Sequence, residues 1–216
     1  MAGRRFFERS VLAVAPELLG RVLAHETEDG LVAAEIAEVE AYCGESDPAS
    51  HAFRGQTARN AVMFGEPGHA YVYFTYGMHF CVNLVCQPAG QAAAVLLRAG
   101  RVVAGAEVAR SRRGASGSRA GAGALVEREL ARGPARLCQA LAVGRAQNGA
   151  DVCDPAGPLR LLSPPGFTGL PAGSIGRGPR VGVRFGAEVH WRFWMLGEPA
   201  VSAYRPHMPR RRVAGL

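Results

Sequence analysis

The sequence predicts one α+β domain, and three observations lead to that prediction. Its 216 residues are enough for one domain with a substantial core. Short runs rich in β-branched and aromatic residues occur alongside helical segments, which is typical of a mixed fold. The chain contains no internal repeat and no convincing linker between two units. We therefore treat residues 1–216 as a single domain.

The first elements are a helical segment and a hairpin. The helical segment spans residues 5–24, with Ser10 as a candidate N-cap and Gly20 as a stop signal. The runs RVLAHE and LVAAEIAEVEAY then flank an Asp-Gly dipeptide, which is a strong hairpin signal. Side chains two positions apart share a face of a strand, so Glu38 and Glu40 are expected about 7 Å apart. A carboxylate pair is therefore possible near the end of the second strand.

The middle of the chain predicts three more strands. A polar loop at 43–60 and a turn within 61–69 precede two strands in 70–87, which break near Tyr76. The run AAAVLLRAG is a further strand that is expected to be buried as far as Arg98. An arginine at the buried end of an apolar strand rarely lacks a carboxylate partner, so Arg98 is expected to have one.

The last part of the chain begins with a basic Gly/Ser segment. Residues 110–124 are predicted to form a flexible basic loop. The run GPARLCQALAV is a helix that begins at Pro134. Short strands in RLL, PRVGVRFG, VHWRFWMLG and AVSAY are expected to alternate with Pro/Gly turns, and residues 205–216 form a basic tail.

The charge composition favours a polyanionic partner. The net charge is +7 and the pI about 9.7, and all 25 basic residues are arginine. A basic surface suits nucleic acid because each neutralised phosphate releases counterions. The same composition also occurs in arginine-rich proteins of GC-rich genomes that never bind nucleic acid. Without lysine, no side-chain amine can form a Schiff base.

Cysteine usage and hydropathy indicate an intracellular protein. The five cysteines are scattered and odd in number, which favours reduced thiols over a disulfide framework. No apolar run approaches the roughly 18 residues that span a bilayer, and the N-terminus lacks the pattern of a signal peptide. We expect a cytoplasmic, nucleoid-associated protein with no membrane contact.

Several candidate functional residues are ambiguous singly but point to one kind of site together. Glu40 alone could be an exposed strand residue, and His51 alone is more often a loop hydrogen-bonder. A carboxylate, aromatic rings, an imidazole and Arg98 in combination fit a pocket for a flat heterocycle. The rings would stack on the heterocycle while the carboxylate activates water. Basic charge outside fits a nucleic acid that delivers a flipped-out base.

The run from Glu38 to Arg98 closely resembles the alkyladenine DNA glycosylase family, the mammalian-type 3-methyladenine DNA glycosylases. The segments that carry the resemblance are EVEAYCGESDPASHAFRGQTARNAVMF, PGHAYVYFTYGMHFCVN and AVLLRA, with weaker matches in GPARLCQALAV and PRVGV. The resemblance implies a curved, largely antiparallel sheet with peripheral helices. It also implies a monofunctional glycosylase of base excision repair that removes alkylated or deaminated purines from double-stranded DNA, with no cofactor and no metal, as a monomer.

The resemblance also implies roles for individual residues. Glu40 looks like the general base that activates water, Arg98 like its partner, and the backbone carbonyl of Val181 like a third ligand of that water. The remaining residues line the base pocket or contact the DNA duplex. Tyr42, His51 and Tyr73 resemble stacking walls, Asn83 resembles a gate at the purine edge, and Tyr76, with Met78 beside it, resembles the wedge that fills the gap in the duplex.

Some expectations stay open. Neutral lesions such as hypoxanthine or ethenoadenine need an acid, and Glu38 is the candidate for it. The loop between His51 and Tyr73 looks one residue shorter than in the mammalian pattern, and the long N-terminal extension is missing, which suggests a bacterial-type member.

One alternative function is a non-catalytic nucleic-acid-binding module that uses tyrosines as a stacking platform. Another is a metal-dependent hydrolase, although the histidines lack ligand spacing.

Overall fold

A computed structural model describes residues 2–75, 77–115 and 125–208 of the chain. The helices are α1 (Arg4–Phe7), α2 (Val11–Leu18), α3 (Ala106–Ala115) and α4 (Pro134–Leu141). The strands are β1 (Val22–Thr27), β2 (Gly30–Tyr42), β3 (Ala70–Thr75), β4 (His79–Val85), β5 (Ala94–Ala104), β6 (Leu159–Leu162), β7 (Ile175–Gly178) and β8 (Arg192–Met195). These elements confirm the prediction of an α+β fold.

The strands form one curved antiparallel sheet with β2 at its centre. The main path runs β3-β4-β5-β2-β1-β6, and β7 and β8 extend it from β2. One side of β2 pairs with β5, whereas the other side pairs first with β1 and then, at Glu38 to Glu40, with β8. The second half of β2 is therefore enclosed by strands on both sides.

The pairing of β2 is irregular around the two predicted carboxylates. The register between β2 and β5 shifts on both sides of Glu38. Such bulges bend a strand and re-aim its side chains. Glu38 and Glu40 are both completely buried, but they have different hydrogen-bond partners. The two carboxylates therefore have different hydrogen-bonding environments, and Arg98 contacts both of them.

The helices cover the sheet with their apolar faces. Four positions of α2 are buried at helical spacing, namely Val11, Val14, Ala15 and Leu18. α2 lies against β2 and β5, and α4 lies against β4 and β5. α4 begins at Pro134, as predicted, because proline suits the first turn of a helix. No helix among the described residues is both long and apolar enough to cross a bilayer.

The N-terminal predictions are largely correct. The predicted helical segment 5–24 is two helices, α1 and α2, and helix ends before Gly20, which adopts a φ of 80°. Ser10 is the N-cap of α2 but makes no side-chain capping bond. The Asp-Gly hairpin between β1 and β2 is confirmed.

The predicted flexible loop at 110–124 is wrong in its first part. Residues 110–115 belong to α3. This helix has Glu107 in its first turn and Arg112 and Arg113 in its last turn. This arrangement of charges complements the helix dipole, and the buried Ala109 packs α3 onto the core. Residues 116–124 lie outside the described residues. In the predicted basic tail, residues 205–208 are exposed without regular structure, and 209–216 are outside the description.

Two predicted strands near the C-terminus are loops. The run PRVGVRFG, residues 179–186, contains two glycines at positive φ, Gly182 and Gly186. The run AVSAY, residues 200–204, is the second loop. In each of the two loops a backbone N–H binds a buried carboxylate instead of a neighbouring strand. Val181 donates to Glu40, and Ser202 donates to Glu38.

Candidate active site

The Glu40 carboxylate is buried and held by two hydrogen bonds and one ion pair. Its Oε1 accepts a hydrogen bond from the backbone N–H of Val181 at 2.7 Å and lies 3.3 Å from Nη1 of Arg98. Its Oε2 accepts a hydrogen bond from the hydroxyl of Tyr42 at 2.9 Å. The carboxylate is therefore fixed in orientation and has a cation beside it.

Arg98 links Glu40 to a second carboxylate. Its Nε donates to Oε1 of Glu38 at 2.8 Å, and its side chain is 8 % exposed. Burial alone would lower the pKa of Arg98, but the charges of Glu40 and Glu38 outweigh burial and raise it. The guanidinium therefore stays charged inside the protein, and the expected carboxylate partner of Arg98 is present.

Glu38 is a structural carboxylate rather than an acid. It accepts hydrogen bonds from Nε of Arg192 at 2.7 Å and from the backbone N–H and hydroxyl of Ser202 at 2.8 Å and 2.9 Å. Burial would raise the pKa of Glu38, but the positive charges of Arg98 and Arg192 outweigh burial and lower it. An ionised carboxylate has no proton to donate, so this geometry does not support the guess that Glu38 is a general acid.

A small aromatic pocket of about 60 Å³ lies beside the carboxylate. Its lining residues are Tyr42, Ala49, His51, Met63, Tyr71, Tyr73, Asn83 and Ala94. It adjoins a cavity of about 610 Å³ whose lining includes Arg98 and Val181. All four residues predicted for the base pocket lie in its wall. The sequence prediction missed Tyr71 and Met63, because buried aromatic and apolar side chains look like ordinary core residues.

The ring of His51 packs edge-on against two tyrosines. Its centroid is 4.5 Å from that of Tyr73, and its Nδ1 is 3.0 Å from the hydroxyl of Tyr71. Burial, and then the charge of Arg59, lower the pKa of His51, which favours a neutral imidazole near pH 7.

The turn that precedes His51 requires glycine at position 44, because a Cβ there would lie 1.7 Å from the carbonyl oxygen of Ala92.

The two tyrosines nearest Glu40 remain neutral phenols. Burial, followed by the negative charge of Glu40, raises the pKa of Tyr42. Burial also raises the pKa of Tyr73. Each ring therefore keeps its hydroxyl proton at physiological pH and presents an uncharged face to the pocket.

Asn83 reaches the pocket from β4, directly opposite Tyr71 in β3. It is 5 % exposed, and its Nδ2 donates to the backbone carbonyl of Tyr71 at 3.0 Å. This bond uses one amide hydrogen. The second amide hydrogen and the bulk of the side chain remain available to the pocket.

The mouth of the larger cavity is basic. Arg132, Arg136 and Arg184 line it, together with Thr75 and His79 from the ends of β3 and β4. The turn between these strands contains Met78, whose relative exposure is 67 %. Tyr76, predicted to be the wedge in this turn, lies outside the described residues. The intercalating roles of Tyr76 and Met78 stay predictions.

The contact that the structure shows at Val181 differs from the predicted one. The family resemblance predicts that its backbone carbonyl binds a water molecule, whereas the contact present is the N–H bond to Glu40. The role of the carbonyl stays a prediction. Among residues 2–75, 77–115 and 125–208, no group of three or more His, Cys, Asp or Glu side chains is arranged to hold a metal ion.

Comparisons with known proteins agree with the resemblance in the sequence. The profile of the family described as Methylpurine-DNA glycosylase (MPG) matches residues 5–199. A protein of Streptomyces avermitilis is 57 % identical over 211 residues, covering 97 % of this chain and 94 % of the relative. Proteins of Leifsonia xyli and Frankia casuarinae are 53 % and 51 % identical, covering 95 % and 97 % of this chain and 93 % and 94 % of their own. The names of all three assign them provisionally as 3-methyladenine DNA glycosylases.

Proposed function

Because the chain belongs to the methylpurine-DNA glycosylase family and is a DNA glycosylase, we propose that it removes alkylated or deaminated purines from double-stranded DNA. The substrate class comprises 3-methyladenine, hypoxanthine and ethenoadenine. The observation that carries the proposal is a buried Glu40, fixed by two hydrogen bonds and an ion pair with Arg98, beside an aromatic pocket. The product is an abasic site in a DNA strand whose backbone is intact.

Glu40 is the general base of the proposed reaction. Breaking the N-glycosidic bond builds oxocarbenium character at C1′ of the sugar. An ionised Glu40 stabilises this charge and takes a proton from water, whose oxygen bonds to C1′ as the base leaves with the electrons of the broken bond. Arg98 places a positive charge 3.3 Å from the Glu40 carboxylate, which it pairs with and helps to orient. The carbonyl of Val181 is proposed as a further ligand of the water.

The aromatic residues hold the flipped base. Tyr42, His51 and Tyr73 supply the stacking surfaces, in keeping with their neutral state and their positions around the pocket. Flipping costs a few kcal/mol of lost stacking and pairing, which is partly recovered when a side chain fills the gap in the duplex. Tyr76 and Met78 are proposed for that role.

The basic mouth of the cavity fits the phosphates that flank a flipped nucleotide. Arg132, Arg136 and Arg184 border the opening. Arginine–phosphate contacts release counterions, so affinity for DNA falls steeply with salt. We propose a monomeric, cytoplasmic enzyme that acts on chromosomal DNA.

The test is excision from duplex oligonucleotides that each carry one lesion, in excess chelator, followed by alkaline cleavage of abasic sites. The proposal predicts alkali-dependent cleavage at the lesion. A binding module would give binding without cleavage, and a metal-dependent hydrolase would lose activity in chelator. Either result would contradict the proposal.

The absence of lysine leads to a prediction about the reaction class. All 25 basic residues are arginine, so no lysine can attack C1′ to form an imine. We expect borohydride to trap no covalent protein–DNA adduct during turnover, and abasic DNA to remain unnicked without alkali. A glycosylase that uses a lysine nucleophile serves as the positive control. A strong trapped band would show that the enzyme is bifunctional.

Asn83 is predicted to exclude guanine. Guanine differs from adenine at position 2, where it has an amino group, and the amide of Asn83 provides bulk and a second N–H donor against that group. We expect Asn83→Ala and Asn83→Ser to raise excision of guanine-type lesions relative to hypoxanthine. Loss of one hydrogen bond should cost only about 1 kcal/mol of stability.

The control for this prediction is Asn148→Ala. Asn148 is exposed and does not line the pocket. Like Asn83, it bonds to the backbone of β3, in this case by accepting from the N–H of Val72. Its replacement should leave the ratio of the two substrates unchanged. If the Asn83 variants melt at much lower temperature without gaining guanine excision, the residue serves only to hold β3 and β4 together.

A further inference from the structure

A buried ion pair joins two loops that line the larger cavity of the proposed site. Arg180 donates from Nη1 and Nη2 to the two carboxylate oxygens of Asp47, at 2.5 Å and 2.9 Å. The side chains are 0 % and 1 % exposed. Asp47 belongs to the loop that carries His51, and Arg180 directly precedes Val181 in the chain. The sequence gives no signal for this pairing, because 132 residues lie between the two positions.

Each partner also organises its own loop. Asp47 accepts hydrogen bonds from the backbone N–H groups of Cys43 and Ala49, at 3.2 Å and 3.0 Å. Arg180 donates to the carbonyl of Gly186 at 3.4 Å, which closes the loop 180–186 on itself. Both loops are therefore folded around the ion pair rather than merely linked by it.

Arg180 also contacts the end of β2, next to Glu40. Its Nη1 donates to the carbonyl of Ala41 at 3.0 Å. Its guanidinium carbon lies over the rings of Tyr42 and Trp191, 4.7 Å and 5.2 Å from their centroids. Both hydrogen-bond donors that hold Glu40, the hydroxyl of Tyr42 and the N–H of Val181, thus lie directly beside Arg180.

A buried ion pair is weak evidence for a gain in stability, because removing two charges from water offsets much of their attraction. Its fixed, bidentate geometry is better suited to defining positions. We propose that Asp47 and Arg180 are a positioning pair for the reaction, which hold Val181 and Tyr42 against the Glu40 carboxylate. This inference rests on the proposed function and adds two residues that do not touch the substrate.

The test compares two variants in single-turnover excision from a hypoxanthine duplex, with enzyme in saturating excess. Arg180→Lys keeps the charge but cannot bind both oxygens and Ala41 at once. The double variant Asp47→Asn/Arg180→Met removes both charges, so that no unpaired charge stays buried. We expect the excision rate constant to fall about 10- to 100-fold in both, since displacement of catalytic groups by about 1 Å has effects of this size. Affinity for the lesion duplex should change less than about threefold, because phosphate contacts dominate it.

The control variant is Asp151→Asn, which removes the carboxylate of another ion pair, with Arg4, outside the site. It should lower the melting temperature without lowering the rate constant. If the pair has a purely structural role, both test variants should behave like the control, with a lower melting temperature and an unchanged rate constant. That result would overturn the inference. Unfolding of both test variants where Asp151→Asn stays folded would overturn it as well. Wild-type protein that excises nothing would contradict the proposed function itself.

Discussion

Replacement of Glu40 by glutamine is expected to reduce the single-turnover excision rate by about 10²- to 10⁴-fold, or more where charge stabilisation adds to proton transfer. Glutamine has nearly the same shape and can keep the described contacts. Its amide oxygen can accept the N–H of Val181, and its NH₂ can donate to the Tyr42 hydroxyl, which also accepts hydrogen bonds. The variant cannot take a proton from water and has no negative charge for the developing cation at C1′. Lesion binding should therefore survive while excision collapses.

The measurement is a single-turnover time course on a hypoxanthine duplex, with binding measured in parallel. Glu35→Gln is a matched control, because Glu35 is in the same strand and pairs with the exposed Arg101. That variant should excise at the wild-type rate. If Glu40→Gln retains more than a tenth of the wild-type rate constant, Glu40 is not the general base.

Replacement of Arg98 by methionine is expected to lower the free energy of unfolding more than replacement of Glu40, Glu35 or Arg101. The change leaves the completely buried carboxylate of Glu40 without its cation and removes one of two arginines from Glu38. Removing one partner of a buried ion pair typically costs about 3 to 5 kcal/mol of unfolding free energy. Excision should also fall sharply, because Arg98 no longer pairs with and orients the Glu40 carboxylate.

Arg101→Met is the control, since Arg101 lies in the same strand but has a side chain 57 % exposed. Its loss should cost less than about 1 kcal/mol. The double variant Arg98→Met/Glu40→Gln should recover part of the stability lost in Arg98→Met, because the unpaired charge is gone. Equal unfolding free energies for Arg98→Met and Arg101→Met, measured by urea denaturation, would show that the buried carboxylates do not depend on Arg98.

The pattern of the sequence predicted the elements that define the centre of the fold. The Asp-Gly hairpin, the aromatic strands of the 70–87 segment and the helix that begins at Pro134 are all local signals, and the structure has them at these positions. The period of two predicted that Glu38 and Glu40 belong together. The bulge beside Glu38 is a tertiary feature without a residue signature, so the arginine and serine partners that hold Glu38 could not be predicted.

What the sequence could not predict depends on contacts between distant segments. The loop 179–186 looks like a strand by composition, but its Val181 N–H binds a carboxylate on β2. Residues 110–115 look flexible because they contain arginine and glycine, yet packing of α3 against α4 makes them helical. Tyr71 resembles a core residue and is one, but its hydroxyl also contacts His51 at the pocket wall.

The most direct test of the proposed function is to identify both products of wild-type protein by mass spectrometry. The substrate is a duplex with one hypoxanthine, incubated in excess chelator. We expect free hypoxanthine and a full-length strand with one abasic site, because water attacks C1′ and the phosphodiester backbone is untouched. Recovery of the intact strand with its hypoxanthine, or of a cut strand that still carries the base on its sugar, would contradict it.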